Sequence, residues 1–160
     1  MVVMDIDNTL AHTWPSFLQN YPDDTVRHES LAVLYRMRNW FLKWRAEADL
    51  AVTFLSARPS HLQQATRFWL DSNGFSRPGD NLTLVDRASH KQLYFELASR
   101  LCACGQTVTV IDDLAYNHEN GEVRHYHELQ SYLRSSSIDY KGFEFIENIV
   151  SNSHPGTSSV

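Results

Sequence analysis

The sequence predicts an α/β fold, a doubly wound three-layer sandwich around a mostly parallel central sheet. Three observations carry that expectation. Short apolar runs at Met1 to Met4, Leu50 to Leu55, Leu82 to Val85 and Thr107 to Ile111 read as buried strands, and segments with helical apolar spacing lie between them. Carboxylates or hydroxyls sit at the ends of several runs, at Asp5 and Asp7, at Ser56, and at Asp112 and Asp113. Such strand ends are where open parallel sheets bind ligands. Finally, 160 residues with 42% hydrophobic and 21% charged content suit one globular domain, 1–150, followed by a frayed tail, 151–160, with Pro155 and Gly156.

The first run leads straight into Asp5-Ile6-Asp7-Asn8-Thr9-Leu10. Alternate residues of an extended segment point the same way, so Asp5 and Asp7 can face one small volume. Two anions that close repel unless a proton or a cation intervenes, and a hard cation such as Mg²⁺ is the natural third party. An acidic strand-to-loop turn is the alternative reading of these residues alone. Asn8 tolerates a left-handed turn, and Thr9 can offer its hydroxyl or amide to an anion.

Residues 11–29 lack a sustained period and contain Pro15 and Pro22 beside Trp14, Phe17 and Tyr21, which predicts a loop or flap with aromatic anchors. From Ser30 the spacing of Leu31, Leu34, Met37, Trp40, Phe41 and Trp44 predicts a helix packed on the sheet. Ser60 with Gln63, and Ser89 with Gln92, have the form of capping boxes opening two further helices, the second placing Lys91 in its first turn and ending at Gly105. A lysine there opposes the helix dipole, which a nearby anion would explain. Asn120-Gly121 predicts a turn, Val123 to Tyr126 a short fifth strand, and His127 to Arg134 a helix; residues 138–150 fit one more helix or an irregular covering segment.

No apolar run is long enough to span a membrane, and the apolar start lacks a basic flank, so a cytoplasmic protein is expected. Cys102 and Cys104 lie too close on a helix for a good disulfide and are expected as reduced thiols. The net charge of −5 argues against a broad nucleic-acid surface, though not against a local basic groove. His125 and His127 share a strand face, but without a third ligand they read as exposed residues rather than a metal site. Arg58 and Arg67 either meet a substrate anion or solvate a helix, and Arg58 favours the first by standing beside Ser56.

The ordered set Asp5-Ile6-Asp7-Asn8-Thr9-Leu10, Phe54-Leu55-Ser56-Ala57-Arg58-Pro59, Lys91 and Val110-Ile111-Asp112-Asp113 resembles the four motifs of the haloacid dehalogenase-like phosphatase superfamily, over about two-thirds of the chain. Asn8 and Ala57 stand where that family often has glycine. The fourth motif registers either as Asp112 with Asp113 or as Asp113 with Asn117. The resemblance implies a Mg²⁺-dependent phosphomonoester hydrolase: Asp5 as nucleophile forming an aspartyl-phosphate, Asp7 as acid and then base, Ser56 and Lys91 on the transferred group. Asp5, the backbone carbonyl of Asp7, and Asp113 with Asp112 or Asn117 would hold Mg²⁺, while Asn8, Thr9, Ala57 and Arg58 would face the substrate.

Asp7 and Ser56 are 49 positions apart and Ser56 and Lys91 are 35 apart, which leaves no room for a cap domain. By resemblance, a capless and open site suits a bulky substrate such as a phosphoprotein, a nucleic-acid 3′-phosphate or a phospholipid. Leu55-Ser56-Ala57-Arg58 with Thr66-Arg67-Phe68-Trp69-Leu70 is similar to lipin-type phosphatidate phosphatases, and the Asp112-Asp113 pair to the phosphatase half of polynucleotide kinase. The alternative is a non-catalytic module of this fold that binds a phosphorylated ligand or partner. The sequence leaves the oligomeric state open.

Overall fold

The computed structural model describes residues 1–48, 50–116 and 123–151. In chain order the elements are β1 (Val2–Met4), β2 (Ala11–His12), α1 (Asp24–Glu29), β3 (Ala32–Val33), α2 (Tyr35–Ala48), β4 (Val52–Ser56), α3 (Gln63–Ser72) and β5 (Asn81–Leu84). They continue with α4 (Gln92–Ala103), β6 (Thr109–Ile111), β7 (Ala115–Tyr116), β8 (Arg124–His125), α5 (His127–Ser135), β9 (Asp139–Lys141) and α6 (Phe143–Ser151).

Five strands form an all-parallel sheet in the order β5-β4-β1-β6-β9. Pleating divides their side chains between two cores. Val2, Met4, Val52, Phe54 and Ile111 face Met37 and Phe41 of α2, Trp69 and Leu70 of α3, and Ile146 of α6. Val3, Leu55 and Val110 face Phe95 and Ala98 of α4 and Leu129 and Leu133 of α5. Helices therefore cover both faces, as an all-parallel sheet requires. Each fully buried side chain such as Phe41 or Phe54 contributes about 1.5–3 kcal/mol. The chain builds outward from β1 to β4 and β5, then crosses back to β6 on the other side of β1, so the switch in winding direction falls between β1 and β6.

Several elements differ from expectation. The helix begins at Tyr35 rather than Ser30, because Ala32–Val33 pairs antiparallel with Ala11–His12 and the Leu34 amide donates to the Leu10 carbonyl at 2.8 Å. Neither capping box forms: a 3₁₀ turn precedes each helix, at Ser60–Leu62 and Ala88–Lys91, with no side-chain cap bond. The fifth strand of the main sheet is β9, within the stretch expected as helix or irregular cover, and α6 follows it. Arg124–His125 is a strand, but it pairs with Ala115–Tyr116 in a separate ribbon. Cys102 and Cys104 are free thiols. No helix among the described residues is long and apolar enough to cross a membrane. Asn117, the Asn120-Gly121 turn and residues 152–160 of the expected tail lie outside the described residues.

Candidate active site

Three neighbouring strands, β4, β1 and β6, end in the polar residues of the site. The main chain carries the first pair into register: the Asp5 amide donates to the Ile111 carbonyl at 2.9 Å, so Asp5 begins beside Asp112. Asn8 and Leu114, just after Asp7 and Asp113, take positive φ values of 56° and 43°. Each reverses the chain directly behind an acidic residue, and Leu114, with its bulky side chain, is the costlier of the two.

Lys91 joins the two strand ends. Its ammonium donates to Asp5 Oδ1 and to Asp112 Oδ2, both at 2.7 Å, and all three side chains are buried. Thr9 Oγ1 donates to the other Asp5 oxygen at 3.1 Å, and the Leu114 amide donates to Asp112 Oδ1 at 2.9 Å. Asp113 completes the cluster, and its Oδ2 is buried without a hydrogen-bond partner. Asp5, Asp112 and Asp113 each present a carboxylate oxygen within 4.8 Å of the others. Three carboxylates against one ammonium leave two uncompensated negative charges in a buried place. Such a group of hard oxygen donors could hold a metal cation. Without one, burial pushes the Asp5 carboxyl up to about 7, against the pull of Lys91 and with help from Asp112 and Asp7. Burial, with Asp5 and Asp112, likewise holds Asp113 well above the usual carboxylate range. Burial would lower Lys91, but Asp112 and Asp5 outweigh it and keep the ammonium charged.

Asp7 lives in a different environment. Its Oδ1 accepts from Thr13 Oγ1 and an Arg58 terminal nitrogen, both at 2.7 Å. Its Oδ2 accepts from Ser56 Oγ at 2.7 Å and Arg58 Nε at 2.8 Å. Four donors fill the acceptor positions of one carboxylate. Burial alone would raise this group, yet the Arg58 charge and these hydrogen bonds hold it well below the usual carboxylate range. Arg58 is itself fixed by donating to Thr66 Oγ1 of α3 at 3.1 Å.

The segment after β2 walls the site. Asn8 Oδ1 accepts from the Thr13 and Trp14 amides at 3.2 and 3.1 Å, folding the chain into the 3₁₀ turn Trp14–Leu18. Asp23 caps α1 through the Val26 amide at 2.9 Å. α1 brings His28 to the pocket, buried, with Nδ1 at 2.7 Å from the Asp24 carbonyl, and burial together with Arg58 lowers its pKa. A second wall comes from Tyr116 and Tyr126 at the β7–β8 ribbon. The cavity enclosed is about 410 Å³.

Asp5, Asp7, Asn8, Ala57, Arg58, Lys91, Asp112 and Asp113 all line this cavity. Thr9 and Ser56 are fully buried behind it, turned to Asp5 and Asp7. The Thr9 amide bonds the Ile6 carbonyl at 3.3 Å, so its hydroxyl, not its amide, serves the site. The Asp7 side chain stands outside the acidic group, leaving only its backbone for a metal role. Lys91 ends a 3₁₀ turn rather than lying inside a helical first turn, and its anionic neighbours are the two aspartates. Among the described residues no third ligand joins His125 and His127. Thr13, His28, Tyr116 and Tyr126 escaped the sequence reading; only the hydroxyl and aromatic side chains flanking the motifs hinted at them. No family model, curated protein or solved structure matches the chain, and the functional reading rests on these residues.

Proposed function

We propose that the protein is a Mg²⁺-dependent phosphomonoester hydrolase of the haloacid dehalogenase-like type. The observation that carries this reading is Lys91 bridging Asp5 and Asp112 beside the unpartnered oxygen of Asp113. That constellation supports the reading because it holds a carboxylate suited to act as nucleophile beside a fixed ammonium and an excess of negative charge that a second cation would balance. Phosphoryl transfer asks mainly for positioning and neutralisation of the moving group, and little else.

Asp5 attacks phosphorus in line, the bond from phosphorus to the leaving oxygen breaks, and that oxygen takes a proton from Asp7. Asp7, now a carboxylate, takes a proton from water as the water oxygen attacks the aspartyl-phosphate; phosphate leaves and Asp5 is restored. The resting Asp7, saturated by Arg58, Ser56 and Thr13, is in the form that serves this second step. For the first step it must enter protonated. Phosphoryl oxygens compete with Asp7 for Ser56 and Arg58, and engaging those donors releases Asp7 to carry a proton. Asp5, Asp113 and Asp112 would hold Mg²⁺, which supplies charge neutralisation at the phosphoryl group.

The test is hydrolysis of p-nitrophenyl phosphate with MgCl₂ and with chelator, beside Asp5→Asn. Turnover that needs both Mg²⁺ and Asp5 supports the hydrolase. If turnover is absent while beryllofluoride binds with Mg²⁺, the chain is a phosphate-recognising module instead.

A further inference from the structure

Beyond the groups that handle phosphate, the cavity is walled by rings from two separate segments. Trp14 and Phe17 come from the 3₁₀ turn after β2, Tyr116 from β7, and Tyr126 from the residue between β8 and α5. The two tyrosine rings touch, with centroids 4.8 Å apart at 40°. Phe17 is 57% exposed, yet it is braced by the Arg27 guanidinium 4.6 Å from its centroid. An exposed apolar ring is ordinary on its own, but this one lines the candidate site together with Trp14, Tyr116 and Tyr126, which makes an apolar patch that a ligand ring can cover.

The charged pair beside these rings does not favour a second anionic group. Arg27 pairs with Asp24 at 3.3 Å, so among the described residues this pair offers no net positive charge to a second phosphate or a polyanionic backbone. A cavity of about 410 Å³ falls at the small end of ligand sites. Aromatic walls favour a flat partner, because ring pairs gain from offset or edge contacts beyond their buried area.

Resting on the hydrolase reading, we propose that the pocket receives a planar aromatic ring carried by the leaving group, so that the substrate is a phosphomonoester of an aromatic alcohol or of a nucleoside. The ring lies against Trp14, Phe17, Tyr116 and Tyr126 while the phosphate faces Asp5.

Calorimetry in MgCl₂ with two unreactive probes, benzylphosphonate and cyclohexylmethylphosphonate, isolates the ring from the chemistry. Benzylphosphonate should bind at least tenfold more tightly, and Phe17→Ala with Trp14→Leu should reduce that preference to less than threefold. Equal affinities, or a preference that survives both substitutions, overturn the proposal whether or not the protein hydrolyses p-nitrophenyl phosphate. A ring preference without any turnover removes the hydrolase and keeps the ring site. Kinetics then separate the two sources of ring: benzyl against cyclohexylmethyl phosphate, and adenosine 5′-monophosphate against ribose 5-phosphate. The pair with the larger kcat/KM ratio identifies an aryl group or a nucleobase, and ratios near one in both pairs overturn the assignment.

Discussion

Arg58 grips both oxygens of Asp7, Nε on one at 2.8 Å and a terminal nitrogen on the other at 2.7 Å, across 51 positions of sequence. The Arg58 side chain is 2% exposed, so little water competes for its contact with Asp7. The pair therefore ties β1 to the end of β4 like a structural rivet, and under the proposed function its donors would also serve an incoming anion.

Truncating Arg58 leaves Asp7 with two hydroxyl donors and no counter-charge. Arg58→Ala is expected to lower unfolding stability by about 3 kcal/mol in urea titrations at pH 7. Arg58→Lys should recover only part of that, because an ammonium cannot reproduce the two-pronged contact. A loss for Arg58→Ala within about 0.5 kcal/mol, as at an ordinary surface site, would remove the rivet from this account.

The Asp5 carboxyl predicts a pH signature. Its folded pKa of about 7 lies above the unfolded value of 3.8, so between them the native state binds more protons than the unfolded chain. In chelator, this group's contribution to stability is complete below about pH 4 and is lost as pH rises through 7. Mg²⁺ at the proposed site would compete with those protons, so its stabilising effect should grow over the same interval. Thermal unfolding with and without MgCl₂ at pH 5 and pH 8 reads this directly; an equal rise in Tm at both values would contradict it.

Asp113 supplies the unpartnered oxygen. Asp113→Asn substitutes a neutral side chain for a carboxyl whose charged form burial disfavours, so in chelator it should unfold no more easily than the parent. The gain from Mg²⁺ should largely disappear; a site filled to a hundred times its Kd contributes about 2.7 kcal/mol. A variant that keeps the full Mg²⁺ increment in Tm would take Asp113 out of the metal set.

Gly142 guards the far side of the cluster. A Cβ there would lie 2.7 Å from the Tyr140 hydroxyl, which donates to the Asp112 carbonyl at 3.1 Å. Gly142→Ala must push Tyr140 aside, with an expected cost of about 1–3 kcal/mol from the strain and the lost bond. The check is urea unfolding alongside Tyr140→Phe. If the two variants cost the same and the double variant no more, displacement of the hydroxyl accounts for the whole effect.

Much of this arrangement was legible in the sequence, and the rest was not for physical reasons. Val2–Met4, Val52–Ser56 and Thr109–Ile111 are buried on both faces, so they read as apolar runs, and the polar residues ending them marked the site. Among the described residues Asp139–Lys141 pairs only with β6, and as an edge strand carries Asp, Tyr and Lys, which no apolar pattern reveals. Leu31 and Leu34 match a helical period but flank a strand fixed by pairing with Ala11–His12, a tertiary choice. Arg58 shows the limit most clearly. Its place beside Ser56 signalled the site, while its direction, inward to Asp7 rather than outward, depends on contacts made through folding.

The bridge from Lys91 to Asp5 and Asp112 joins residues 86 and 21 positions apart. Parallel strands come together only after whole crossovers close, and that closure entropy precedes any reward from the contacts. The acidic cluster thus has no local precursor: neither the first fifty residues nor the last fifty contain it. Recovery of Mg²⁺ binding during refolding should consequently trail the return of helical signal, timing the moment at which β6 settles against β1.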